Sequence, residues 1–169
     1  MKTISRPVIL VGPMGVGKTT IGKKLSKRLT IPFIDTDMVI TASHGSPSEI
    51  FEKSGEAEFR RIEAETINHA VRNIAVIATG GGAVLSPSCR ESFKLGTVIY
   101  LKTNGNHLRS RLQHGNRPLL KNGYEDWKRI YEERKAIYSS VADFEIDTSH
   151  SSLKGIVEEI CLKLEVTSE

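Results

Sequence analysis

Long hydrophobic runs are missing from this chain. The longest, Val8–Val11 and Ile74–Ala78, cover four or five residues, against the roughly 18 that a membrane span requires. The segment Met1-Lys2-Thr3-Ile4-Ser5-Arg6-Pro7 offers neither an apolar core nor a cleavage site, so no secretory leader is expected. Cysteine is scarce. Cys89 and Cys161 are far apart and have no metal-ligand spacing, which fits two free thiols in a reducing cytoplasm. The five histidines are scattered without paired spacing, which argues against zinc. There is no internal repeat, low-complexity tract or Pro/Gly/Ser-rich linker. The 169 residues therefore read as one domain, 1–169.

Excess charge is also slight. Twenty-four basic and twenty acidic side chains leave +4, too little to imply nucleic acid by itself and equally suited to an anionic small molecule. With 38% hydrophobic and 26% charged residues, the composition is that of an ordinary globular protein.

Short apolar runs alternate with helical patterns. Pro7–Val11, Pro32–Asp35, Ile74–Ala78, Thr97–Leu101 and Phe144–Ile146 read as strands. Lys18–Leu29, Ser48–Ser54, Glu56–Arg72, Trp127–Tyr138 and Ser151–Leu164 read as helices, and Asn106–Leu112 as the start of another. This alternation implies an α/β chain with a parallel, five-stranded sheet covered on both faces. Ligands of such sheets bind beyond the carboxyl ends of the strands.

The strongest motif lies at such an end. Gly12-Pro13-Met14-Gly15-Val16-Gly17-Lys18-Thr19 fits the pattern G-x-x-x-x-G-K-[ST] between a strand and a helix. Glycines let backbone N–H groups converge on phosphate, and the helix directs its positive end at the same anion. Gly15, Val16, Gly17, Lys18, Thr19 and Thr20 are the candidate ATP-binding residues. Lys18 is expected to reach the β- and γ-phosphates, and the Thr19 hydroxyl to ligate Mg²⁺. A guanine-reading Asn-Lys-x-Asp motif is absent, and the third strand runs into Thr79-Gly80-Gly81-Gly82 where a metal-holding Asp is usual. Acids follow the second strand instead, as Asp35-Thr36-Asp37. Capping of the next helix accounts for one of them but leaves the other unexplained.

Together these residues resemble a known family. The phosphate loop, Asp35-Thr36-Asp37, Glu58-Phe59-Arg60-Arg61, Gly80-Gly81-Gly82, Arg117-Pro118-Leu119-Leu120 and Arg134 before Tyr138 occur in the order found in shikimate kinases. The resemblance covers roughly residues 8 to 150. It implies a three-layer α/β/α P-loop kinase fold like that of nucleoside monophosphate kinases. A substrate-binding helical region is expected over about 36–62 and a mobile lid over about 112–124. It implies ATP-dependent phosphorylation of the shikimate 3-hydroxyl on the route to chorismate, by a cytoplasmic monomer with Mg²⁺.

By position, Asp37 is the residue expected to bind the substrate hydroxyls and to act as candidate base. Arg60 and Arg134 are expected to clamp the substrate carboxylate, and the Gly81 backbone to touch substrate. The resemblance gives Arg117 the lid position that reaches the ATP phosphates, Arg111 that of the adenine-stacking arginine, and Asp35 a place near Mg²⁺ through water. Ser149–Ser152 aligns with a segment lining the adenine pocket. The residue types agree: a carboxylate suits planar, bidentate guanidinium donors. From Lys102 to Lys121 five lysines or arginines and no acid occur, which suits a segment closing over triphosphate. Arg61 reads as part of a solvated helix face, and Trp127 as core or lid packing. A gluconate or nucleotide kinase, or a nucleotide-binding module without catalysis, would share the phosphate loop but not the whole substrate set.

Overall fold

The computed structural model describes residues 3–109, 120 and 122–167. Five strands, β1 (Val8–Val11), β2 (Phe33–Asp35), β3 (Val76–Ala78), β4 (Thr97–Lys102) and β5 (Phe144–Asp147), form one sheet in the order β2-β3-β1-β4-β5. Every neighbouring pair is parallel. The helices are α1 (Lys18–Leu29), α2 (Thr36–His44), α3 (Pro47–Ala70), α4 (Pro87–Phe93), α5 (Tyr124–Val141) and α6 (Leu153–Thr167).

The strand side chains alternate between two cores. Ile9, Val11, Ile77, Val98 and Tyr100 pack with residues of α3, α4 and α5. Val8, Leu10, Val76, Ile99, Leu101 and Ile146 pack with residues of α1 and α6. Both faces are covered, so the strands read as continuous apolar runs, not alternating ones. This is the expected three-layer α/β/α arrangement. A third cluster of Ile40, Ile50, Phe59 and Ile62 joins α2 to α3 apart from the sheet.

Several elements differ from the sequence reading. The sequence pattern marks neither α2 nor α4. The first is short and β-branched with Met38 and Val39 exposed, and the second is a two-turn helix started by Ser86 and Pro87. Ile74 does not enter β3; it is 47% exposed, and pairing with β2 begins at Val76. The helices expected on either side of Gly55 run together as α3, broken at Gly55 itself, whose φ of +85° is left-handed. Of Asn106–Leu112, Asn106–Leu108 form a single 3₁₀ turn, and 110–112 lie outside the described residues.

The order of the strands positions the loops. The chain leaves the centre at β1 for the edge at β2, then returns through β3 and crosses to β4. Three loops, after β1, β2 and β3, thus open side by side at one end of the sheet, where the connections diverge.

Candidate active site

The loop after β1 is shaped by its glycines. Gly17 is the N-cap of α1 at φ +103°; no side chain caps the helix and its first turn holds no acid. The first N–H groups of α1 and the positive end of its dipole are therefore directed at the loop. Lys18 is buried, and its Nζ donates to the carbonyls of Gly12 at 2.7 Å and Pro13 at 2.8 Å. Those contacts hold the ammonium over the loop. Thr20 lies exposed one residue beyond Thr19.

Asp35 ends β2 and does two things at once. Its Oδ1 accepts from the backbone N–H groups of Asp37 at 3.0 Å and Met38 at 3.2 Å, capping α2. Its Oδ2 accepts from the Thr19 hydroxyl at 2.5 Å. A hydroxyl from the first turn of α1 and a carboxylate from the end of β2 thereby meet beside the phosphate loop. Since Asp35 is the cap, the Asp37 carboxylate, in the first turn of α2, is not spent on capping.

The third loop explains its run of glycines. A methyl group on Gly80 would lie 2.6 Å from Glu63 Oε2 and 3.1 Å from Asp37 Oδ1. A methyl on Gly82 would lie 2.6 Å from the central carbon of the Arg60 guanidinium. A methyl on Gly81 would meet Met14 of the phosphate loop, 3.1 Å from Cγ and 3.2 Å from the backbone nitrogen. The three glycines thus let two carboxylates, a guanidinium and the phosphate loop approach one short stretch of backbone.

Arg60 comes from α3 and is 18% exposed. Its Nη1 donates to Glu63 Oε1 at 2.8 Å, its Nη2 lies 3.5 Å from Glu56, and its guanidinium sits 5.3 Å from the centre of the Phe59 ring. Burial pushes the Glu63 carboxyl above its ordinary range, with Asp37 adding to the rise, while Arg60 and Arg134 pull against it. Arg134, on α5, is buried. Arg60 is thus paired with the Glu63 carboxylate, and Arg134 adds its positive charge to the same surroundings. The Tyr138 hydroxyl, one helical turn beyond Arg134, donates to the Gly81 carbonyl. Burial pushes it up to about 12, against Arg134 and Arg60.

The structure brings Lys18, Thr19, Asp35, Asp37, Arg60, Gly81 and Arg134 to one end of the sheet. Arg111 and Arg117 lie outside the described residues, as does most of the expected lid. Three residues around these carry no chemical role in the sequence reading: Glu63, Tyr138 and Trp127. Glu63 reads as one more charge on a charged helix, although its position three residues after Arg60 is a standard ion-pair spacing. Trp127 was expected only to pack. It does so, and its indole N–H also donates to the Met14 carbonyl at 2.7 Å. Arg61 behaves as expected for a solvated face, pairing with Glu58 and Glu65 at the surface. Among the described residues no helix is long and apolar enough to cross a membrane, and no group of three or more His, Cys, Asp or Glu side chains is gathered to hold a metal.

Comparison with known proteins shows the family. The family model described as "Shikimate kinase" matches residues 14–165. The chain belongs to the shikimate kinase family. A shikimate kinase from Burkholderia lata is 42% identical over 167 residues, covering 94% of this chain and 90% of that protein. One from Xylella fastidiosa is 39% identical over 168 residues, covering 93% and 91%. Among solved structures, a shikimate kinase from Acinetobacter baumannii in complex with shikimate superposes with a TM-score of 0.88. It has 34% identity and covers 97% of this chain and 94% of that one. A shikimate kinase is a phosphotransferase, and the phosphate loop and the triple-glycine loop meet here at Met14 and Gly81.

Proposed function

We propose that this chain transfers the γ-phosphoryl group of ATP to the 3-hydroxyl of shikimate, giving ADP and shikimate 3-phosphate for the synthesis of chorismate and the aromatic amino acids. One observation carries the reading. Beside the phosphate loop, Asp37 and Arg60 lie against a backbone loop cleared of side chains at Gly80, Gly81 and Gly82, and Tyr138, one turn from Arg134 on α5, donates to the Gly81 carbonyl. Two guanidinium groups suit a carboxylate, and a carboxylate beside open backbone suits hydroxyls.

In this reading Arg60 and Arg134 take the shikimate carboxylate, and the Gly81 backbone contacts the ring substituents. Asp37 orients the acceptor hydroxyl and takes its proton as the new O–P bond forms and the bond to ADP breaks. Phosphoryl transfer is loose enough that this positioning counts for more than base strength. Gly15, Val16, Gly17 and Thr20 surround the phosphates, and Lys18 stabilises the charge on the transferring group. Arg117 adds to that charge stabilisation from the lid over about 112–124, and Arg111 stacks on adenine, both assigned by resemblance alone. The region 36–62, held by its own cluster of Ile40, Ile50, Phe59 and Ile62, serves as the substrate-binding part of the single domain.

Mg²⁺ fits the pair of oxygens at Thr19 Oγ1 and Asp35 Oδ2. Both are hard donors adjoining the loop that binds phosphate, and Asp35, hydrogen-bonded to the Thr19 hydroxyl, would hold the ion through water while the hydroxyl would ligate it. Bound there, the ion neutralises charge on the β- and γ-phosphate oxygens. The enzyme acts as a cytoplasmic monomer, without nucleic acid or membrane partners.

A coupled ADP-release assay with shikimate, gluconate and nucleoside monophosphates as acceptors tests the assignment. Turnover with shikimate alone is expected. Comparable turnover with gluconate or a nucleotide overturns the substrate, and ADP release independent of any acceptor overturns the transferase reading.

A further inference from the structure

Helix α5 holds both loops of the site from one face. Trp127 and Tyr138 are eleven residues apart, three helical turns, and so project on the same side. Trp127 donates its indole N–H to the Met14 carbonyl at 2.7 Å. Tyr138 donates its hydroxyl to the Gly81 carbonyl. Met14 and Gly81 touch each other, since a methyl on Gly81 would lie 3.2 Å from the Met14 nitrogen. Each loop therefore receives one hydrogen bond from α5 at the residue where it meets the other loop.

The Trp127 ring has little freedom to turn. It is 2% exposed, lies 5.6 Å from the Tyr124 ring and 5.2 Å from that of Tyr131, and is approached so closely by Gly105 that a methyl there would fall 2.5 Å from ring carbon Cζ3. The direction of its N–H is thereby set by packing. Across a trans peptide the carbonyl of one residue and the N–H of the next point opposite ways. Turning the Met14 carbonyl onto the indole therefore turns the Gly15 N–H away from it, on the phosphate loop itself. On the far side of the same peptide, a methyl at Gly15 would lie 3.1 Å from a Leu108 methyl, so packing limits rotation there as well.

We propose that Trp127 is a positioning residue of the phosphate loop: through the Met14 carbonyl it sets the orientation of the Gly15 N–H for nucleotide phosphate, while Tyr138 does the corresponding work for the Gly81 loop. The inference deepens the ATP and shikimate reading and rests on it for the identity of the two ligands.

Two measurements test it. In steady-state kinetics, Trp127→Phe keeps an aromatic ring but removes the donor. It is expected to raise the KM for ATP about five- to tenfold, the cost of one unmade hydrogen bond at a buried carbonyl, with the KM for shikimate within about twofold. Tyr138→Phe is expected to show the opposite split. Equal rises in both KM values for each variant, or none, overturn the proposal in favour of packing alone.

The second measurement needs no variant, because Trp127 is the only tryptophan in the chain. Titration of the unmodified protein with ADP is expected to change its emission, whereas shikimate alone leaves it nearly unchanged. ADP binding seen by calorimetry without a change in emission overturns the proposal. A protein that binds ADP with the emission change but does not phosphorylate shikimate would refute the substrate assignment and leave the positioning role standing.

Discussion

Arg60 Nη1 donates to Glu63 Oε1 at 2.8 Å, and Glu63 is 1% exposed. The arginine proposed to take the substrate carboxylate is thus already held by a protein carboxylate from one side, one helical turn away. Arg60 and, to a smaller extent, Arg134 both favour the charged form of Glu63. Glu63→Gln keeps the shape and removes the charge. It is expected to raise the KM for shikimate about tenfold, the effect of about 1.4 kcal/mol of lost positioning, with the KM for ATP within twofold.

The same variant carries a pH signature. Burial raises the folded-state Glu63 carboxyl above its ordinary 4.5. Well below that value the group is neutral in both folded and unfolded chains. As pH climbs from 4.5 through the raised folded value, the unfolded chain ionises first, and the native protein loses stability relative to Glu63→Gln. The melting-temperature difference between variant and parent should therefore shift in the variant's favour with rising pH. A difference that is flat, or shifts the other way, contradicts the burial-dominated environment.

Gly82→Ala separates function from stability. Gly82 has an ordinary φ of −100°, so alanine brings no backbone strain. Its methyl would fall 2.6 Å from the guanidinium carbon of Arg60, the end of a flexible side chain that can move aside. The melting temperature should stay within a few degrees, while the KM for shikimate rises about tenfold or more as Arg60 is displaced. A large loss of stability with an unchanged KM would show that the guanidinium has no freedom to move and no part in binding.

Asp35 joins two roles that substitution can divide. Asparagine keeps an oxygen for the backbone N–H groups of Asp37 and Met38 but loses the charge. Asp35→Asn should therefore melt near the parent while needing several-fold more Mg²⁺ for half-maximal activity. Asp35→Ala should lose the cap too, at about 1 kcal/mol, or about 2–4 °C for a chain of this size. Thermal melts and Mg²⁺ titrations of the two variants read the roles independently.

Asp37→Asn should lower kcat by about 10²- to 10⁴-fold while leaving ADP affinity within twofold. The carboxylate lies at the Gly80 loop, and the nucleotide phosphates are assigned to the loop after β1. Turnover near that of the parent would overturn its role toward the acceptor hydroxyl.

Much of this arrangement is written locally in the sequence. Gly12–Thr19 is contiguous, and the apolar runs disclose a sheet buried on both faces because every residue of the central β1 and of β3 is apolar. Asp35-Thr36-Asp37 and Gly80-Gly81-Gly82 stand out because they follow such runs directly, where parallel strands present their ligands. The short helices escape notice for the converse reason. Helix α2 has too few turns for its period to emerge, and α4 depends on the Ser86 cap and Pro87.

The slight charge excess and the scarcity of long apolar runs spoke against nucleic acid and a membrane span before any contact was known. What no periodicity could disclose is how each side chain is used. Glu58 and Glu63 look alike on α3, yet one lies at the surface with Arg61 and the other is buried against Arg60, because only the fold sets which face meets Gly80 and Gly82. Trp127 and Met14 are 113 residues apart, and their hydrogen bond exists because β1 and α5 are brought together in space. Local chemistry names the phosphate loop, and packing across the sheet decides which distant groups hold it in place.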